Sequence, residues 1–147
     1  MNKSEMALKL FAEGFNCSQA VLTVFAEDFG LDKELALKLG TQFGGGARNG
    51  ELCGAVSGAL LVLGLKYGHY EQNNTQQKSR AYGIASEYTR RFTEVNGSIV
   101  CRELLGYDLT KPEDMEHIRE KNLFGDICPK MIESAVQLLE EIIADYK

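Results

Sequence analysis

Apolar positions recur along most of the chain at three- and four-residue steps, the spacing that lines one face of a helix. Met6, Ala7, Leu10 and Phe11 mark a first helix over Ser4 to Glu13, with Gly14 placed to close it. Asn16 to Glu27 follows with Val21, Val24 and Phe25 on one side, and Asn16 and Gln19 have the separation of a capping box. Asp32 is the expected cap of a third helix ending at Leu39. Glu51 to Tyr67 is apolar on nearly every side, the pattern of a helix enclosed by others, and Gly68 ends it.

The longest amphipathic stretch is Thr75 to Asn96, where Ala81, Ile84, Tyr88, Phe92 and Val95 form a stripe and Gly97 is the stop. Ser98 to Leu105 predicts a short helical turn closed by Gly106, and Pro112 to Glu120 a polar helix. Pro129 to Asp145 carries Ile132, Ala135, Leu139, Ile142 and Ile143 inward. No segment alternates as a strand does. The expected fold class is all-α: a compact multi-helix array, one domain over residues 1–147, around a central apolar helix rich in small residues.

A length of 147 residues, 44% hydrophobic and 25% charged, suffices for a core without disulfide or metal staples. The net charge of −5 and scattered basic residues argue against nucleic acid as a partner. The uncharged run from Leu52 to Leu65 is shorter than the roughly 20 residues that span a bilayer. Charges in the first fifteen residues interrupt any signal-peptide core, so the expected location is cytoplasmic. In that reducing setting, cysteines are thiols, metal ligands or transient redox partners rather than permanent disulfides.

There are four cysteines, and each falls at or near a predicted helix start: Cys17 behind Asn16, Cys53 after a glycine-rich loop, Cys101 after Ser98 and Cys128 before Pro129. Free N–H groups and the helix dipole favour a thiolate there, which would lower the thiol pKa and raise nucleophilicity. Gly44, Gly45, Gly46 and Arg48 add backbone amides and a positive charge as a candidate anion or thiolate support beside Cys53, the expected reactive thiol. The loop lacks the lysine and hydroxyl of a P-loop, which argues against nucleotide binding.

Phe15-Asn16-Cys17-Ser18-Gln19-Ala20-Val21, Phe43-Gly44-Gly45-Gly46 leading to Cys53-Gly54-Ala55-Val56-Ser57-Gly58, Cys101-Arg102-Glu103-Leu104-Leu105-Gly106 and Cys128-Pro129 resemble, in order, the segments of the C_GCAxxG_C_C family of redox-active proteins. The resemblance implies a redox role for the four cysteines. One position departs from the pattern: aligned on Ala55 and Gly58, this chain has cysteine at 53 and glycine at 54, where the family's name has Gly-Cys. On a helix the shift turns the thiol by about 100° and moves it about 1.5 Å, so a different partner is expected.

Three readings of these residues follow. In the first, Cys17, Cys53, Cys101 and Cys128 work by thiol–disulfide exchange or electron transfer, with a redox partner protein. In the second, the same four thiolates ligate a metal or an iron–sulfur centre, although no Cys-x-x-Cys pair is present. In the third, they are small core residues of a helical interaction protein with no chemistry. His69 and His117 lie in polar segments and read as surface residues. Gly54, Ala55, Gly58 and Ala59 permit close helix packing, within the chain or in a homodimer.

Overall fold

A computed structural model describes residues 1–147. It is all-α. The helices are α1 (Lys3–Ala12), α2 (Cys17–Ala26), α3 (Lys33–Gly40), α4 (Gly54–Tyr67), α5 (Thr75–Asn96), α6 (Cys101–Leu105), α7 (Pro112–Glu120), α8 (Leu123–Asp126) and α9 (Cys128–Asp145). Short 3-10 turns, Glu27–Phe29 and Thr41–Phe43, extend α2 and α3.

Local chemistry sets most of these boundaries. Asn16 accepts from the Gln19 N–H at 2.9 Å while Gln19 accepts from the Asn16 N–H at 2.9 Å, completing the capping box that starts α2. Asp32 caps α3 by accepting from the Leu35 N–H. Gly97, in the left-handed region at φ +90°, ends α5. The same two cap residues of α2 also tie it to α3: Gln19 Nε2 donates to the Leu37 carbonyl and Asn16 Nδ2 to the Thr41 carbonyl.

Helix α4 is the centre, packed against α2, α5 and α9, while α9 also meets α1, α2 and α5. Their shared core includes Val21, Leu22, Val56, Val62, Tyr88, Phe92, Ile132 and Leu139. Tyr88 is fully buried and stays hydrogen-bonded by donating to the Ala135 carbonyl at 2.9 Å. A smaller apolar cluster around Cys101, Leu105 and Ile118 collects α6, α7, α8 and the start of α9.

Two expectations are corrected. Glu51 to Cys53 is extended rather than helical: Leu52 bridges antiparallel to Val100, so Ser98–Val100 is also non-helical and α6 starts at Cys101. Val95 is 65% exposed, because the buried stripe of α5 is Ile84, Tyr88 and Phe92 and the helix's last turn runs past the core. Of the two uses open to the small-residue face of α4, the structure shows packing within the chain. A Cβ on Gly58 would lie 2.7 Å from the Ser18 carbonyl oxygen, so α2 of the same chain already fills that face.

Candidate functional site

Two extended residues on either side of the Leu52–Val100 bridge bring distant cysteines together. The Cys53 N–H donates to the Ile99 carbonyl at 2.7 Å and the Cys101 N–H to the Glu51 carbonyl at 2.6 Å. This register puts Cys53 and Cys101 on one face of the two-stranded ladder. Arg102 secures it by pairing with Glu51 at 2.8 Å and donating to the Gly50 carbonyl.

Cys17 enters from the other side. It is the first residue of α2, and a Cβ on Gly54 would fall 2.3 Å from its Sγ, so the sulfur rests directly on the start of α4. Only a residue without a side chain at 54 leaves that space. In this chain a cysteine at 54 would collide with Cys17, whereas Cys53, at the cap of α4, lines the same cavity. Cys128 completes the set from the start of α9.

All four cysteines line one cavity of about 330 Å³ that opens to solvent on one side. Phe11, Phe15, Leu104, Phe124, Ile127 and Met131 supply most of its apolar wall, and Gly45 and Arg48 line it from the loop. The cavity lies on the seam between the large core, which holds Cys17 and Cys53, and the smaller cluster containing Cys101 and Cys128. All four thiols are free. No three Cys, His, Asp or Glu side chains come together in a way that could hold a metal ion. His69 and His117 are exposed and away from the cavity.

The glycine-rich loop divides its labour. Gly45 through Arg48 form a left-handed turn, with φ +65° at Gly45, +64° at Gly46, +56° at Ala47 and +62° at Arg48. Non-glycine residues rarely enter this region, and two in succession concentrate strain beside the cavity. Gly44 and Gly46 do not line the cavity. Gly44 packs on the Asn16 side chain, and a Cβ on Gly46 would sit 2.3 Å from the Glu51 nitrogen.

The electrostatics correct the expectation of acidic thiols. Burial pushes the thiol pKa up at all four cysteines, outweighing the helix-start effect. Cys53 is pushed up to about 12 by burial and by neighbouring Cys17, with Ala55 and Val56 amides opposing. Cys101 is pushed up to about 11 by burial and by Cys17, while Arg48 and Arg102 pull it down. Cys128 rises through burial and its three thiol neighbours, and nothing opposes the rise. Its helix start is not a free one: Ile127 is in helical conformation and continues α8 into α9, so the Ile127 and Met131 amides already bond to the Leu123 and Ile127 carbonyls.

Cys17 differs. Burial raises it too, and the nearby backbone N–H groups of Gly45, Ser18, Cys17 itself and Ala55 offset that rise only in part by favouring its thiolate. These come from the loop and the starts of two helices. The loop amide therefore serves Cys17 rather than Cys53, the thiol expected to benefit. Cys17 shares the cavity wall with the other three thiols, and its negative charge, once formed, opposes ionisation of each of them.

The fold and the site together define a helical protein with four thiols around a single apolar cavity. The chain matches the family described as "Putative redox-active protein (C_GCAxxG_C_C)" over residues 15–142 and belongs to it. No curated protein and no solved structure matches the chain. No helix is long and apolar enough to cross a membrane.

Of the site features, the four cysteines were readable as candidates from their positions, and Arg48 from its loop. Phe11, Phe15 and Phe124 were not. Phe11 has the helical spacing of a core residue, Phe15 lies between α1 and α2, and Phe124 falls in the short α8, so only the meeting of these segments with α9 brings the three rings to one cavity.

Proposed function

We propose that this protein carries out reversible dithiol–disulfide exchange within the cavity, with Cys17 as the attacking thiol. The observation that carries the reading is the placement of four free cysteines around one cavity, with backbone amides of the loop and of two helix starts near Cys17 favouring its thiolate. Amides that favour a thiolate in an apolar wall raise the reactive fraction of a buried thiol without exposing it to water.

The Cys17 thiolate attacks one sulfur of a disulfide substrate. The substrate S–S bond breaks, and its second sulfur leaves and takes up a proton. A neighbouring cysteine then attacks the Cys17 sulfur in the mixed disulfide, releasing the rest of the substrate as a thiol and closing a protein disulfide. Two electrons pass from the cysteines to the substrate, and two thiol protons end on the products. A dithiol restores the protein by the reverse steps. Because Cys17 is the attacking thiol and the resolving cysteine attacks its sulfur, the closing disulfide includes it.

Anaerobic thiol titration before and after diamide treatment, followed by peptide mapping without reduction, tests the reading. The expected result is a loss of two thiols per chain, restored by a phosphine reductant, with Cys17 in the linked peptide. Four unreactive thiols, a bound metal that accounts for them, or a main product linking two cysteines other than Cys17 would overturn it.

A further inference from the structure

Apart from its cysteines, the cavity offers one uncommitted polar side chain. Asn16 also lines it, but its oxygen is occupied by the Gln19 N–H and its nitrogen by the Thr41 carbonyl. Arg48 pairs with no carboxylate, and its sole side-chain bond is a long 3.4 Å contact from Nη1 to the Gly44 carbonyl. No Asp or Glu lines the cavity. An unpaired guanidinium thus stands at the edge of an apolar chamber in a protein of net charge −5. The strained left-handed turn is what aims it there, since Arg48 itself sits at φ +62°.

Size narrows the ligand further. At about 330 Å³ the chamber lies at the small end of the roughly 300–1,000 Å³ found for ligand sites. A bulky peptide disulfide does not fit inside, and three phenylalanines favour an aliphatic or aromatic body. From these observations we infer that the cavity takes a compact apolar molecule with one anionic group, the anion meeting Arg48 and the apolar body lying among Phe11, Phe15 and Phe124. The inference rests on the dithiol–disulfide reading for its reactive end: the substrate is a small apolar disulfide bearing a carboxylate or similar anion. Arg48 acts as the specificity-determining residue, because a guanidinium binds a carboxylate through charge-assisted hydrogen bonds that a neutral analogue lacks.

A sulfur-free probe separates this recognition from the thiol chemistry. Octanoate and octanamide share an apolar tail and differ in the charged end, and calorimetry on the fully reduced protein compares their affinities. The wild type is expected to bind octanoate about tenfold more tightly, in line with one charge-assisted contact. Arg48→Asn should abolish that preference, and asparagine tolerates the left-handed backbone, so the loop is preserved. Arg48→Lys should retain most of it. Bound octanoate should also slow alkylation of the cavity thiols by N-ethylmaleimide.

Equal affinity for the two probes, a preference that survives Arg48→Asn, or thiols that react with N-ethylmaleimide just as fast when octanoate is bound would overturn the inference. Because octanoate contains no sulfur, failure of the exchange chemistry would appear as four unreactive thiols and would leave the octanoate preference intact. The two failures are therefore told apart by separate readouts.

Discussion

At position 54 the side chain is a hydrogen atom, and the Cys17 sulfur occupies the space a methyl group there would need. The consequence is specific to this glycine. Gly54→Ala is expected to lose about 1–3 kcal/mol by overpacking and to push Cys17 away from the Ala55 amide, raising its thiol pKa further. Gly64 in the same helix is the control, because nothing lies within 4 Å of its added Cβ. Gly64→Ala should stabilise by up to about 1 kcal/mol through helix propensity. Urea unfolding of both variants, with the pH dependence of Cys17 alkylation, reads the contrast. Equal responses would mean that α4 can shift away from Cys17 at little cost. Sequence alone showed the cysteine one residue off the family pattern; what it could not show is that glycine at 54 and cysteine at 17 are a spatial pair.

Among the elements, the left-handed turn Gly45–Arg48 carries the least favourable backbone. Ala47 is exposed and has φ +56°, so its methyl group adds conformational cost without burial in return. Ala47→Gly is expected to raise stability by about 1 kcal/mol while preserving Cys17 reactivity, measured by denaturant unfolding and alkylation rate. Gly46→Ala should do the reverse, since its Cβ would meet the Glu51 nitrogen at 2.3 Å. A destabilised Ala47→Gly would mean that the turn relaxes to another conformation in solution.

This scale also separates what the sequence disclosed from what it concealed. The starts of α2 and α3 and the end of α5 were legible, because Asn16 with Gln19, Asp32 and Gly97 act within a few residues of the boundary they set. Glu51–Cys53 was misread because its extended form depends on Val100, far along the chain, and an apolar run gives no sign of such a partner. Helix α8 escaped notice because it is only four residues long and follows Asn122, which lies in the left-handed region. The cysteines were legible as a set. Their raised pKa values were not, since burial at the seam depends on how the helices meet, whereas helix-start placement is local.

Across the whole molecule, the seam holds four protonated thiols in one place, and that links stability to alkaline pH. In the unfolded chain a thiol titrates near 9.0; in the fold Cys101 titrates at about 11 and Cys53 at about 12, chiefly because burial penalises the thiolate. Between those values the folded chain keeps protons that the unfolded chain has released. Fewer protons are bound in the unfolded state, so stability falls as pH rises, by up to about 1.4 kcal/mol per pH unit for each such thiol. The contribution is fully present below pH 9 and is lost on going up through about 11 to 12. Tyrosines and lysines titrate in the same range, so the informative quantity is a difference between variants. Under reducing conditions, urea unfolding at pH 8 to 11 should show a steeper alkaline decline for the wild type than for Cys53→Ala/Cys101→Ala, whose remaining slope comes from the other groups. Parallel declines would mean that these two thiols ionise equally well in both states, which would require water throughout the cavity and remove the apolar environment on which selection of an apolar ligand depends.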